Sequence, residues 1–188
     1  WVIELMDSLD VKHAILVGHS QGCLVTIEAA ASYPDRVKSV ALIAGAMEIP
    51  VSQQLLDMSD KALTQAISAM INWGHGPAAH MHDNTQPGHS FIGYGQRLMA
   101  LNDNDALRAD LCACNTYTNG PDAAKSITQP ALCILAENDR MTPLKFGQQM
   151  AAAIANVEMK VIARAGHMLP AEYPAEVNSA LRSFFQQS

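Results

Sequence analysis

Long apolar runs are absent from this sequence. No stretch approaches the ~18–20 residues that a membrane-spanning helix requires, so no membrane partner is expected. Basic residues are also scarce. Twelve lysines and arginines stand against 18 aspartates and glutamates, for a net charge of −6. A nucleic-acid-binding protein needs a clustered basic surface, so no nucleic acid is expected either, and a mildly acidic balance reads as a solubility feature. Cysteine is sparse as well. Cys23, Cys112, Cys114 and Cys133 form no CxxC pair and have no histidine at zinc-finger spacing. They read as free thiols in a reducing compartment, the cytoplasm. No signal-peptide pattern is visible. The first residues, with Trp1, Leu5 and Leu9 on one helical face, read as the interior of a longer chain.

What is present suits one packed domain. Of 188 residues, 49% are hydrophobic and 16% charged, a balance that supplies a sizeable core. Residues 14–17 (Ala-Ile-Leu-Val) are an unbroken apolar run, the pattern of a strand buried on both faces of a parallel sheet. Further strands are predicted over 37–44, 130–136 and 157–163. Helical periodicity follows Gly22 and stops at Tyr33-Pro34, because proline cannot continue a helix. It returns over 144–155 and 175–187, with Val177, Leu181 and Phe184 on one face. Alternating strands and helices predict an α/β fold, a mostly parallel sheet with flanking helices. Residues 49–126 break the alternation. Ala62, Leu63, Ala66, Ile67, Met70 and Ile71 make one helical face and Leu107, Leu111 and Cys114 another, around a loop-like Gly/Pro/His/Asn-rich stretch from 74 to 95. This is a helical insertion between two strands.

The chemistry is concentrated at three places. Gly18-His19-Ser20-Gln21-Gly22 joins a predicted strand to a predicted helix, the setting of a G-x-S-x-G nucleophile elbow. Small residues on either side let the serine occupy a strained turn, and the Gln21 main-chain amide then faces the same space as an oxyanion donor. Serine needs a base. Of seven histidines, His167 lies on a loop after a strand, at the carboxyl edge of the sheet where α/β sites gather. His19 is expected to point away from Ser20 and pack, and His13 precedes a strand at the wrong edge. Asp139, just beyond the strand over 130–136, is the preferred acid to orient His167, with Glu137 its rival. The chain order Ser20, Asp139, His167 is the order this constellation takes on α/β sheets. In the insertion, Met58, Met70, Met81, Met99, Trp73, Phe91 and Tyr94 are candidates for an adaptable apolar pocket. Met70, Trp73, Met81, Phe91 and Tyr94 are taken as the substrate-binding set. His75, His80 and His82 read as loop histidines rather than metal ligands.

The text from Ala14 to Gly22, the Tyr33-Pro34-Asp35-Arg36-Val37 segment, Pro130 to Pro143, and Ala165-Gly166-His167 followed by Glu172 and Pro174 together resemble the carboxyl-terminal part of an α/β-hydrolase. The resemblance is close over 1–48 and 127–188, the hydrolase core. Over 49–126 it holds in position only, as a helical cap. It implies a partial α/β-hydrolase fold and a serine hydrolase that works without metal or other cofactor on a small-molecule substrate through an acyl-enzyme. Carboxylesterase-like hydrolysis of small or medium esters is the first expectation. Carbon–carbon bond or lactone hydrolysis by the same triad is the alternative, and a catalytically weak fragment or ligand-binding protein is a third. Cys23 and Ala136 stand where relatives usually carry glycine. The resemblance also implies that earlier strands, and the loop giving a second oxyanion amide, precede Trp1. Loss of one such donor costs on the order of 10²–10³ in turnover, so weak activity is expected of this chain alone. An uncovered apolar edge at 14–17 is expected to pair, as a homodimer or with a further fragment.

Overall fold

The computed structural model describes residues 1–80 and 83–186. After helix α1 (Val2–Ser8), strand β1 (Ala14–His19) leads into α2 (Gln21–Ser32), and β2 (Val37–Ile43) follows. Among the described residues, five α-helices then come before the next strand: α3 (Gln53–Lys61), α4 (Leu63–Gly74), α5 (Phe91–Met99), α6 (Ala106–Thr116) and α7 (Gly120–Ser126). The chain closes with β3 (Ala131–Ala136), α8 (Leu144–Ala153), β4 (Val157–Ile162), the short α9 (Leu169–Glu172) and α10 (Pro174–Phe185). The four strands form one sheet in the order β1-β2-β3-β4, every pair parallel.

Successive strand side chains point to opposite faces, and both faces here are covered. On one, Val40, Leu42, Cys133 and Leu135 meet Cys23 and Ile27 of α2, Ile127, and Met150 of α8. On the other, Ala41, Ile43, Leu132 and Ile134 meet Leu169, and Val177, Ala180 and Phe184 of α10. The central strands β2 and β3 are therefore almost wholly apolar and buried. Strand β1 differs from its expected burial on both faces. Among the described residues it pairs with β2 alone, and Val17 is half-exposed. A strand with one neighbour buries less than a central one, whatever its composition.

The helices between β2 and β3 divide their packing. Leu55 and Leu56 of α3, Ala66 of α4 and Leu111 of α6 make a small separate core, whereas Ala123 and Ala124 of α7 join the main one. Helices α3 and α5 begin at serine N-caps: the Ser52 hydroxyl accepts from the Leu55 amide and the Ser90 hydroxyl from the Gly93 amide. Helix α5 occupies part of the stretch expected to be loop, and α3 and α7 were not marked by the apolar periodicity.

Leu132, at the centre of the sheet, is fully buried. Leu132→Ala is expected to cost about 2–5 kcal/mol, the range for large-to-small core changes that leave a cavity. Urea unfolding measures it, and a loss below 1 kcal/mol, on the order of one exposed contact, would contradict this packing.

Candidate active site

The site starts at the junction of β1 and α2. Ser20 sits there with φ 55° and ψ −121°, a conformation that costs a non-glycine residue on the order of 1–3 kcal/mol. Its surroundings impose it. The Ser20 amide donates to the Ile43 carbonyl at 3.0 Å, and the Ser20 carbonyl accepts from the Cys23 amide at 2.9 Å. A Cβ on Gly18 would collide with the Gly22 carbonyl, so this glycine is sterically required. Gly22 is not: a Cβ there would meet nothing within 4 Å, which corrects the expectation that both flanking positions must be small. Cys23, the next residue, fits because Gly45 leaves room for its side chain.

Ser20, His167 and Asp139 come together from three loops at the carboxyl edge of the sheet. Ser20 Oγ lies 2.7 Å from His167 Nε2, and His167 Nδ1 lies 2.8 Å from Asp139 Oδ2. A carboxylate only accepts, so Nδ1 carries the proton and donates, and the Nε2 lone pair faces the serine hydroxyl. The Asp139 and His167 side chains are 1% and 3% exposed. Asp139 Oδ1 accepts from the amides of Met141 and Thr142, each at 2.8 Å. The Thr142 hydroxyl lies 2.8 Å from Asp139 Oδ2 and 2.9 Å from the Ala44 carbonyl, and its single proton serves one acceptor at a time. Burial works to raise the pKa of Asp139. The hydrogen bond and charge of His167 and the Thr142 bonds outweigh it, leaving the carboxyl below its ordinary value and ionised at neutral pH. The rival Glu137 faces elsewhere, accepting from the Arg164 amide at 2.9 Å.

Gln21 is the first residue of α2. Its main-chain N–H belongs to the helix-start donors that have no intrahelical partner, on the same turn as Ser20. Its side chain donates to the Asp110 carbonyl at 3.2 Å. A cavity of about 370 Å³ opens over Ser20 and Gln21, walled by Ile49, Leu55, Met70, Trp73, Met99 and Leu107, with Asp110 and Arg140 its charged residues. A larger groove of about 700 Å³ runs along α1, α2 and α6, but Ser20 does not line it.

Met70, Trp73 and Met99 thus line the cavity as the sequence suggested. Phe91 and Tyr94 do not. Phe91 is buried against the rings of His75 and His89, and Tyr94 lies exposed beside His89. Both sit in the first half of α5, whereas Met99 at its end reaches the cavity. Met58 packs with the small helical core, and Met81 and His82 lie outside the described residues. His75 is a buried residue rather than a solvated loop histidine, its Nδ1–H donating to the Ile71 carbonyl at 2.7 Å.

His19 packs beside His167. Its Nε2–H donates to the His167 carbonyl at 2.8 Å, and the two rings lie 5.1 Å apart. Burial, then the neighbouring His167, depress its pKa from the ordinary 6.5 to about 4. The folded protein therefore refuses a proton that the unfolded chain accepts. Stability from this ring is full above pH 6.5 and is lost as pH falls toward 4, by up to about 3 kcal/mol. His19→Gln keeps a donor for the His167 carbonyl and is expected to flatten that acid limb. Urea unfolding from pH 7 to 4 tests it, and an equal fall in both proteins would contradict it.

The profile of the alpha/beta hydrolase family matches residues 1–180. The uncharacterized hydrolase YugF of Bacillus subtilis is 24% identical, the match covering 98% of this chain and 70% of that protein. A 2-hydroxy-6-oxononadienedioate/2-hydroxy-6-oxononatrienedioate hydrolase of Paraburkholderia phymatum is 25% identical over 97% of this chain and 66% of its own length. Among solved structures, the enol-lactonase from Burkholderia xenovorans LB400 superposes with a TM-score of 0.88 at 22% identity, covering 98% of this chain and 70% of that one. A bromoperoxidase from Bacillus anthracis superposes with a TM-score of 0.86 at 18% identity, covering 98% and 71%. With a parallel sheet of the same architecture and a family match over nearly its whole length, this chain belongs to the alpha/beta hydrolase family.

Proposed function

We propose that the protein is a serine hydrolase that cleaves small or medium ester substrates through an acyl-enzyme, with Ser20 as nucleophile, His167 as general base and Asp139 as the residue that orients His167. The observation that carries this reading is the unbroken relay from Ser20 Oγ through His167 to Asp139, with contacts of 2.7 and 2.8 Å. His167 Nε2 takes the Ser20 proton as Oγ attacks the substrate carbonyl carbon. The carbonyl oxygen becomes an oxyanion, and the Gln21 amide at the start of α2 is placed to donate to it. The intermediate collapses when His167 Nε2–H protonates the departing alkoxide, leaving the acyl group on Ser20. Water, deprotonated by His167, then attacks the acyl carbon, and Ser20 recovers its proton as the acid leaves.

The helices between β2 and β3 act in this reading as a cap that excludes water and shapes the acyl pocket. A volume of about 370 Å³ lies at the low end of small-molecule sites, on the order of 300–1,000 Å³. Arg140 on its wall supports a second reading within the same mechanism. A guanidinium there suits a substrate that carries a carboxylate, as does the dioate named for the Paraburkholderia relative. The four free cysteines support a cytoplasmic setting.

A fluorophosphonate probe is expected to modify Ser20, located by peptide mass spectrometry, and Ser20→Ala is expected to abolish the adduct. Labelling elsewhere, or none, sinks the nucleophile assignment. Asp139→Asn is expected to lower kcat on p-nitrophenyl butyrate by on the order of 10⁴, the cost of presenting the wrong histidine tautomer. Trp73→Ala is expected to raise KM for that ester with little change in kcat, as loss of uniform binding does.

A further inference from the structure

Glu172, the last residue of α9, is a fully buried carboxylate with no part in the reaction described above. Its Oε2 accepts two main-chain hydrogen bonds, from the Gly76 amide at 3.0 Å and the Gly166 amide at 3.1 Å. Gly166 directly precedes His167. Gly76 lies two residues beyond the end of α4. The two glycines approach so closely that a Cβ on either would collide with the other's main chain. Two N–H groups from distant segments therefore converge on one oxygen where no side chain could pass between them. The other oxygen, Oε1, has no hydrogen-bond partner among the described residues.

The neighbouring bonds lead to the same place. The Met168 amide donates to the Gly74 carbonyl at 2.9 Å. The Thr85 hydroxyl donates to the Glu172 carbonyl at 2.6 Å. His19 donates to the carbonyl of His167 itself. Residues 166, 167 and 168 are thus each held through the main chain, at Gly166 by Glu172, at His167 by His19 and at Met168 by the end of α4. Helix α4 also carries Met70 and Trp73 on the cavity wall. Burial holds the Glu172 pKa above its ordinary value, against the opposing pull of the two amides and of His75.

We propose that Glu172 is a positioning residue for His167, its carboxylate pinning the Gly166 amide to the Gly76 amide so that the base is held in register with the cavity wall on α4. The proposal rests on His167 being the base of the reaction. Without the carboxylate two buried amides lose their acceptor and must separate to find others. The His167 loop would move with Gly166. A displacement of about 1 Å at a reacting group costs on the order of 10² in rate.

The test compares wild type with Glu172→Gln, Glu172→Leu and Glu172→Asp by fluorophosphonate labelling, p-nitrophenyl butyrate kinetics and thermal unfolding. Glutamine keeps an oxygen that can accept from both amides, so its kcat is expected to stay within about threefold of wild type. Leucine removes the acceptor and is expected to lose on the order of 10² in kcat, with KM nearly unchanged and unfolding still cooperative. Aspartate withdraws the acceptor by one methylene and is expected to fall between. It decides the matter if the leucine variant does not fold, because a wild-type kcat in Glu172→Asp overturns the proposal. So does a leucine variant with wild-type kcat, a glutamine variant as slow as leucine, or a loss confined to KM. If wild type itself gives no Ser20 adduct, the nucleophile assignment falls and takes this proposal with it. A labelled wild type whose leucine variant reacts equally fast overturns the proposal alone.

Discussion

A closed circuit of hydrogen bonds holds Ser20 in its strained turn, and the rest of the site hangs from that circuit. The Ser20 amide is fixed by the Ile43 carbonyl at the end of β2. The next residue, Ala44, has a positive φ of 46° and donates to the Ile134 carbonyl on β3. The Ala44 carbonyl lies within bonding distance of the Thr142 hydroxyl, Thr142 holds Asp139, and Asp139 holds His167. His167 then returns to Ser20 through Oγ. Two strained backbone positions, at Ser20 and Ala44, lie on this path. Such positions persist only where the surroundings over-determine them, and here the apolar packing of β2 and β3 does so. The core and the site are therefore one structure. The buried strands supply the rigidity that lets three loops meet within hydrogen-bonding distance.

Two carboxylates are buried near His167, and their surroundings push them in opposite directions. Asp139 faces a basic ring and three donors from Met141 and Thr142, so its charged form is favoured despite burial. Glu172 faces two main-chain amides on one oxygen and none on the other, so burial dominates and its pKa rises. The charge on Asp139 adds to that rise. Removing a charge from water costs several kcal/mol unless it is paired and fully bonded. Asp139 meets that condition at both oxygens and Glu172 at one. Similar burial thus yields an ionised partner for the histidine in one place and a main-chain acceptor in the other.

Strands and their flanking helices were legible in the sequence because a buried parallel strand is a continuous apolar run and its helices carry a 3.6-residue period. The elbow was legible for a local reason, since the turn, the preceding strand and the following helix all lie within residues 14–32. The insertion was harder. Helices α3 and α5 are only nine residues long and bury few of them, although Ser52 and Ser90 at their starts are N-cap signals that could have located them. Phe91 and Tyr94 were placed at the pocket on residue type alone. Type does not say which turn of a helix reaches the cavity, as Met99 does at the end of α5. The bonds from His19, Thr142 and Glu172 into the site join residues far apart in sequence, or turn on loop geometry that no spacing rule encodes. Thr142 and Glu172 stood in recognisable segments, but their physical roles follow only from which amides and carbonyls converge on them.

Fold and substrate are written in different parts of the chain. The relatives carry names as different as bromoperoxidase, enol-lactonase and 2-hydroxy-6-oxononadienedioate hydrolase, at identities of 18–25%. Fold likeness therefore leaves the substrate to local detail. In this chain that detail lies mainly in α3, α4 and α6 and in the loop carrying Arg140, which wall the cavity. Helix α4 is not free to vary independently of the chemistry. Its last turns present Met70 and Trp73 to the cavity, and its end at Gly74 accepts from the Met168 amide beside His167. A change that tilts α4 to enlarge the cavity would also pull on the loop that carries His167. Substitutions on α3 or α6 carry no such link through the His167 main chain. Pocket size can thus change at Leu55, Leu107 or Leu111 with less consequence for the placement of His167 than at the far end of α4.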